Sequence, residues 1–281
     1  MWKVLTTAYN NWSRHRSARL GAALAYYSVF SLGPLLLIVI AIAGLWFGQD
    51  AVCGSLTGQF RELLGPDGAQ AVEAMLKGAA SAQTGGIAAV VGVALLLIAA
   101  LGVVAQLKDA LNTIWDAPEP QGSGIWWYVR TYLVSLAGVM ALGFLLMVSL
   151  VLSTGLAAVS AWAGTADSGV LLWEAVNFAV SLGVLTGLFA MLFKWFPDVP
   201  VRWGDVWPGA LASALLFQAG KLAIAWYIGS QGLESTYGAA ASLVVLLIWV
   251  YYTAQIVLFG AEISHAYARQ RSTLVDALMT R

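Results

Sequence analysis

Lys221 lies well inside a long apolar stretch, and Gln218 lies three residues before it. An ionisable side chain is costly within a bilayer, so it marks a candidate functional site. Because residues three apart share one face of a helix, Lys221 and Gln218 predict a polar pocket suited to an anionic group such as a lipid phosphate. The lysine equally fits a structural role, either snorkelling to the headgroups or pairing with Glu174 or Glu234.

A second candidate is a polar and aromatic stripe near the C-terminus, whose spacing of three, four and three residues places it on one helix face. Its members are Tyr252, Gln255, Phe259 and Glu262. We predict that Glu262 forms a salt bridge that fixes helix ends, and proton coupling is the alternative role. The cations predicted at its depth are Arg19, Lys108, Lys194 and Arg202.

A third candidate lies in the first apolar stretch, where Tyr26 and Tyr27 precede Pro34. The proline removes the helix hydrogen bond to the carbonyl of Phe30. The resulting kink predicts a cavity beside the two tyrosines. Proline kinks are also common in membrane helices that bind nothing, so a purely structural interpretation stays open.

Other polar and small residues favour helix packing. Asp109 and Asn112 lie where the second apolar stretch ends, and we interpret them as groups that cap neighbouring helix ends. Gly183 and Gly187 form a GxxxG motif, which predicts close packing within the chain or, as a second choice, a homo-oligomer. A looser version of this motif is Gly209-x-x-x-Ser213.

These residues must be positioned by helices that cross a bilayer. A hydrocarbon core about 30 Å thick needs about 20 apolar residues of helix, and six stretches qualify. They do not alternate in hydrophobicity as barrel strands do, so we predict an all-α bundle of six transmembrane helices. The predicted spans are Leu20–Phe47, Gly85–Leu107, Val129–Trp162, Val170–Trp195, Val206–Ile228 and Ala239–Ile263.

Composition and charge placement support this architecture. The chain has 281 residues, of which 60% are hydrophobic and 10% charged, whereas soluble domains average about 25% charged residues. Of the 14 Lys and Arg residues, only Arg61 and Lys77 fall in predicted external segments, and Lys221 falls within a span. The positive-inside rule therefore predicts that both termini are cytoplasmic.

The segments outside the spans are short. Residues 1–19 predict either a helix lying in the cytoplasmic membrane interface or a solvated basic tail. The external segment 49–84 predicts two short amphipathic helices that are separated at Gly65-Pro66. Because no linker rich in Pro, Gly or Ser divides the chain, residues 1–281 are predicted to form a single membrane domain.

Four motifs occur in order along nearly the whole chain. They are Ala22–Ser28 with Phe30–Leu36, Ala110–Trp115, Asp205–Ala210 with Lys221, and Tyr237–Ala240 continuing to Trp249–Tyr251 and Gly260–Glu262. Together they resemble the motifs of the YihY/BrkB family of bacterial inner-membrane proteins. The resemblance implies an integral inner-membrane protein of about six helices. Members of that family have been called ribonuclease BN or virulence factors, so the resemblance implies no single activity.

The sequence argues against an RNA-cleaving enzyme. Its two histidines, His15 and His265, are far apart on the predicted cytoplasmic tails, no P-loop or GxSxG motif is present, and the net charge is +0. We predict a non-enzymatic protein without metal or other cofactor, whose partners are membrane lipids and not nucleic acid. The favoured hypothesis is binding or translocation of an anionic lipid or envelope-glycan lipid. The alternative is a structural or assembly factor of the cell envelope.

Overall fold

The computed structural model describes residues 2–48, 50, 52–54, 56–61, 69–70, 72–74, 102–118, 170–230 and 241–279. All regular secondary structure in these residues is helical, which confirms the predicted all-α class. The predicted third span, 129–162, lies outside the described residues, as do 85–101 of the second span. In the segment 49–84, which was predicted to be external, the described residues between 50 and 74 are helical.

The helices agree closely with the predicted spans at most ends. They are α1 (Trp2–Arg14), α2 (Ser17–Phe47), α3 (residues 102–114), α4 (Val170–Trp195), α5 (Trp203–Ser230) and α6 (Ala241–Met279). Helix α3 continues past Leu107 and α6 continues past Ile263, so these two helices extend beyond the predicted spans. Apolarity marks the part of a helix that suits lipid, whereas the helix itself continues into polar sequence.

The helix ends follow from local backbone conformation. Arg16 is in the left-handed region, with φ 52°, and it separates α1 from α2. Asp116, with φ 48°, follows α3 in the same conformation. Gly48, with φ 81°, ends α2, and glycine adopts this φ without steric cost. Pro197 and Pro200 lie in the connection between α4 and α5, where a missing N–H prevents helix continuation.

Helix α6 is the central helix of the described bundle, since it contacts α1, α2, α4 and α5. Its residues Leu258 and Ala261 are fully buried. They belong to the main apolar core together with Leu111 of α3, Phe193 of α4 and Val206 of α5. Side chains positioned on α6 are therefore presented to every other helix of the cluster.

Helix α1 has a buried face, an exposed apolar face and a mostly polar face. Val4 and Ala8 are buried against Ile263 and Ala266 of α6. A second face is apolar and largely exposed, and it consists of Trp2, Leu5, Tyr9 and Trp12. The remaining residues are mostly polar. The helix predicted within residues 1–19 therefore forms, and it packs against the bundle and is not a solvated tail.

Helices α5 and α6 come into backbone contact where Gly209 faces Gly260. A Cβ atom on Gly209 would overlap the carbonyl oxygen of Gly260, and one on Gly260 would overlap the hydroxyl of Ser213. Ser213 and Ser264 each donate a hydrogen bond of 3.2 Å to a backbone carbonyl of the opposite helix. The close approach predicted for Gly209 and Ser213 is thus present, with Gly260 as the partner that the motif search missed.

The GxxxG motif of α4 behaves differently. A Cβ atom on Gly183 or Gly187 would meet no atom within 4 Å. Within the described part of the chain, the predicted tight packing at this motif is therefore not found.

Large apolar side chains cover much of the outer surface of the bundle. Leu215 and Leu222 of α5 are 47% and 74% exposed, and Ile248 of α6 is 49% exposed. Surfaces of this kind are disfavoured in water and suit contact with lipid. By length and composition alone, the stretches Phe178–Trp195 and Val244–Ser272 are each able to cross a bilayer.

Most ion pairs of the described residues gather at one end of the bundle, which we name the cationic end. Lys108 Nζ lies 2.9 Å from Asp198 Oδ1, and Arg271 Nη1 lies 3.4 Å from Asp205 Oδ1. The ionisable residues of this end are Arg14, His15, Lys108, Asp116, Lys194, Asp198, Asp205, Glu262, His265, Arg269 and Arg271.

Candidate functional site: an apolar cavity beside a buried polar network

An apolar cavity of about 460 Å³ lies among α2, α3, α4 and α6. Its walls include Leu24, Leu107, Leu185 and Trp249. Along α6 the lining runs from residue 246 to residue 257, which is about 16 Å at 1.5 Å per residue. The cavity is therefore elongated along the helix axes, as a lipid chain in a bilayer would be.

The polar pair predicted on α5 lies near the end of this cavity that is remote from the cationic end. Gln218 Nε2 donates a hydrogen bond of 3.0 Å to Ser181 Oγ of α4. Ser181 is one helical turn before Leu185, which lines the cavity. Lys221 is half-buried and lies three residues after Gln218, on the same face of α5.

The two candidate tyrosines of α2 lie on the outside of the described bundle. Tyr26 is 59% exposed and Tyr27 is 43% exposed. Tyr26 packs on Phe30, with ring centroids 4.8 Å apart, and the Tyr27 ring lies against Gly102 of α3. Neither tyrosine is among the described residues that line the cavity, although the next residue, Ser28, does line it. Helix α2 continues through Pro34 as far as Phe47.

Glu262 is fully buried at the cationic end and contacts the junction of α1 and α2. Its Oε1 accepts a hydrogen bond of 2.8 Å from His15 Nδ1 and one of 3.2 Å from Ser17 Oγ. Arg14 Nη2 lies 3.0 Å from His15 Nε2, so the ring accepts from the guanidinium on one side and donates to the carboxylate on the other. The partners predicted for Glu262 were wrong. The prediction considered only Lys and Arg residues expected at the same depth in the membrane, and it therefore omitted His15 and Ser17.

Asp116 gathers a second set of partners beside Glu262. His15 Nε2 lies 3.5 Å from Asp116 Oδ1, and His265 Nε2 lies 3.8 Å from Oδ2. Arg14 and Arg269 approach the same carboxylate at 3.8 and 3.9 Å. The two histidines, which are far apart in the sequence, therefore converge on one carboxylate.

The remaining stripe residues of α6 connect it to two neighbours. Tyr252 donates its hydroxyl to the carbonyl of Leu216 on α5 at 2.9 Å, and Gln255 Nε2 donates to the carbonyl of Ala18 on α2 at 3.3 Å. With Glu262, the stripe thus makes three successive polar links between helices. Interhelical hydrogen bonds of this kind stabilise membrane helix packing by about 0.6–2 kcal/mol each.

Asn112 and Asp109 differ in their surroundings although both lie at the same end of α3. Asn112 Nδ2 donates to Asp198 Oδ2 at 2.8 Å, and the backbone N–H of Asp198 donates to Asn112 Oδ1 at 2.8 Å. Asn112 thereby fixes the connection between α4 and α5. The Asp109 side chain is exposed, and its carbonyl accepts the hydroxyl of Thr113 at 3.0 Å.

Sequence reasoning missed His15 and Asp116 as parts of the buried network. One signal was available, since His265 lies three residues after Glu262 and so shares its helix face. Asp116 reaches the two histidines because of the left-handed turn that follows α3, and hydrophobic periodicity in the sequence does not predict such a turn. Within the described ranges, no group of three or more His, Cys, Asp or Glu side chains is arranged to hold a metal ion.

Comparison with known proteins identifies relatives along almost the whole chain. Residues 8–280 match the family described as Virulence factor BrkB. A UPF0761 membrane protein of Methylibium petroleiphilum is 31% identical over 95% of this chain and 63% of its own length, and one of Verminephrobacter eiseniae is 31% identical over 94% and 62%. A UPF0761 membrane protein of Aeromonas salmonicida is 28% identical over 89% of this chain and 85% of its own length.

The chain thus spans less than two thirds of the length of the first two relatives. No solved structure matches it. The match to the family nevertheless includes α2 to α6, the second half of α1 and all four sequence motifs. The resemblance inferred from those motifs is therefore confirmed, and the protein is a membrane protein that belongs to the BrkB family.

Proposed function

We propose that this membrane protein binds an anionic lipid and moves it between the leaflets of the bacterial inner membrane. The observation that carries the proposal is the elongated apolar cavity among α2, α3, α4 and α6. Its volume of about 460 Å³ lies within the range of about 300–1,000 Å³ that is typical of ligand pockets. The acyl chain occupies the cavity, and Lys221 with Gln218 binds the phosphate.

The proposal includes a topology in which both termini and the cationic end are cytoplasmic, because cytoplasmic segments carry the excess of Lys and Arg. It also treats the protein as a transporter without catalysis or cofactor. The described lining of the cavity supports this, since its polar side chains are the hydroxyls of Ser28 and Thr253. These are groups that bind a ligand weakly and provide no strong acid or base.

Lipid movement in reconstituted vesicles tests the proposal. We expect purified protein to expose fluorescent phosphatidylglycerol in phosphatidylcholine vesicles to an external quencher faster than empty vesicles do. Lys221→Gln should slow exposure about tenfold or more, because a hydrogen bond to a charged group contributes about 1.5–3 kcal/mol, and about 1.4 kcal/mol corresponds to a factor of ten. Lys221→Arg should retain the rate, and Ser28→Phe should block it by filling the cavity.

The matched control is Lys3→Gln, which removes an exposed cation of α1 that is remote from the cavity. The proposal would be overturned by wild-type protein that moves lipid no faster than empty vesicles. It would also fail if Lys221→Gln and Ser28→Phe both moved lipid at the wild-type rate.

A structural or assembly role is the second candidate, and the stripe on α6 favours it. Tyr252, Gln255 and Glu262 are all engaged in links between helices. This role predicts that Lys221→Gln lowers the midpoint of thermal unfolding in detergent while vesicles show no lipid movement with either protein.

A further inference from the structure

A second cavity of about 300 Å³ lies on the surface between α1, α5 and α6, and we name it the aromatic groove. Its walls include Tyr9 and Trp12 of α1, whose rings are stacked with centroids 6.3 Å apart. Leu216 of α5 and Tyr251 and Phe259 of α6 complete it. The aromatic groove shares no described lining residue with the internal cavity, so the two are separate sites.

The direction of the aromatic groove matches that of a lipid chain entering a bilayer. Along α6 it runs from Phe259, beside α1, to Tyr251, a distance of about 12 Å away from the cationic end. At the Phe259 end of the groove, Tyr9 belongs to the exposed apolar face of α1, and aromatic residues of this kind favour the headgroup level. Leu215, next to Leu216 in the chain, and Ile248, three residues before Tyr251, are apolar and half exposed, so the surface around the groove suits lipid more than water.

Two arginines, Arg16 and Arg19, lie at the start of α2, in the segment that contacts Gln255 of the aromatic groove. Gln255 lines the groove and donates its amide to the carbonyl of Ala18, which places Arg19 next to that contact in the chain. Arg16 and Arg19 are exposed and form no ion pair with any described residue. By contrast, Arg14, which lies two residues before Arg16, pairs with Asp116. Cations of this kind attract anionic lipid headgroups.

We propose that the aromatic groove binds one anionic phospholipid of the surrounding bilayer. The acyl chain lies along α6 from Phe259 to Tyr251, and the phosphate is bound by Arg16 and Arg19. The lipid thereby holds α1 against α5 and α6. This site rests on residues and charges other than those of the proposed transport path, so either proposal can fail without the other.

Photo-crosslinking of the wild-type protein tests the site directly. The probe is phosphatidylglycerol with a diazirine in its acyl chain, in vesicles of phosphatidylcholine. We expect the label on the α6 peptide that contains Tyr251 to Phe259 and on the α1 peptide that contains Tyr9. Absence of label from both peptides would overturn the proposal.

A pair of neighbouring variants on α5 tests occupancy. Leu216→Trp fills the aromatic groove, whereas Leu215→Trp adds the same side chain at an exposed position outside it. In native mass spectrometry with phosphatidylglycerol, we expect Leu216→Trp to weaken binding of one lipid about tenfold and Leu215→Trp to leave it unchanged. Equal lipid binding by the two variants would contradict the site. Conversion of a dimer to monomer by Leu216→Trp alone would show that a second copy of the chain occupies the groove.

The charge requirement is tested by lipid preference. We expect wild-type protein to bind phosphatidylglycerol more tightly than phosphatidylcholine, and the double variant Arg16→Gln/Arg19→Gln to bind them about equally. Lys3→Gln, an exposed cation on the polar face of α1, should keep the preference. If the double variant kept it as well, the phosphate would not lie at these arginines.

Discussion

Helix α6 meets its neighbours in two different ways along its length. From Gly260 towards the C-terminus it is in backbone contact with α5, and Glu262 is buried against the junction of α1 and α2. From Leu246 to Val257 it borders the internal cavity, where few polar groups occur. The C-terminal part of the helix is fixed by close packing and hydrogen bonds, whereas the part from Leu246 to Val257, although Tyr252 and Gln255 also hydrogen-bond to α5 and α2, leaves room for a ligand on one side.

This difference indicates that stability and ligand binding are divided along one helix. A rigid end positions the cavity walls, because α2, α4 and α5 are all attached to α6. Substitutions in the rigid half should therefore reduce stability, whereas substitutions beside the cavity should change lipid binding. Gly209, Glu262 and Asn112 test this division, because Gly209 contacts the C-terminal half of α6, Glu262 lies in it, and Asn112 lies at the same end of the bundle.

The largest loss of stability is expected from Gly209→Ala. Its Cβ atom would overlap the carbonyl oxygen of Gly260, so α5 and α6 would have to separate. Overpacking of this kind costs about 3 kcal/mol when backbone must move. Denaturation in mixed detergent micelles should show the lower free energy of unfolding.

The matched control is Gly183→Ala on α4, where a Cβ atom would meet no atom of the described residues within 4 Å. We expect this variant to be as stable as the wild type or up to about 1 kcal/mol more stable, because alanine favours helix over glycine. If Gly183→Ala were the more damaging of the two, the close contact would have been assigned to the wrong helix pair.

A smaller loss is expected from Glu262→Ala. The substitution leaves His15 Nδ1 and Ser17 Oγ without their carboxylate partner in a buried place. Unsatisfied buried groups cost about 1–3 kcal/mol, and we expect about 2 kcal/mol. Unfolding measurements on Glu262→Ala, His15→Ala and the double variant give the coupling between the two residues.

A coupling near zero would mean that Glu262 stabilises the bundle without His15. The variant Glu262→Gln is the matched control, since its amide oxygen still accepts from His15 while the charge is lost. It should recover part of the stability that Glu262→Ala loses.

Long apolar stretches predicted α2, α4, α5 and α6, whereas α1 is amphipathic and its sequence left a solvated tail open as an alternative. The predicted end at Trp195 agrees with the end of α4, because proline-rich sequence begins there. The end of α6 was not predictable in this way. Its residues after Ile263 are polar on one face and are buried against α1 on another, so the helix continues beyond the apolar run.

The candidate site was predictable only in part, for a physical reason. Helical spacing correctly placed Tyr252, Gln255 and Glu262 on one face of α6. Spacing within a helix contains no information on which other segment meets that face. The contact with His15 depends on the turn at Arg16 and on the packing of α1, which are tertiary features.

The smallest of the three losses is expected from Asn112→Ala, at the edge of the rigid half. The variant removes two hydrogen bonds of 2.8 Å to Asp198, and these groups are partly accessible to water. Each such bond contributes about 1 kcal/mol or less, so we expect a loss of about 1 kcal/mol. Asp109→Asn, three residues earlier with an exposed side chain, should leave the unfolding midpoint unchanged.

Because Asn112 holds the connection that follows α4, and α4 lines the internal cavity, its loss should also weaken lipid binding slightly. A stability loss without any change in lipid binding would show that the cavity walls keep their positions independently of the cationic end. Stability and lipid binding would then depend on fully separate parts of α6.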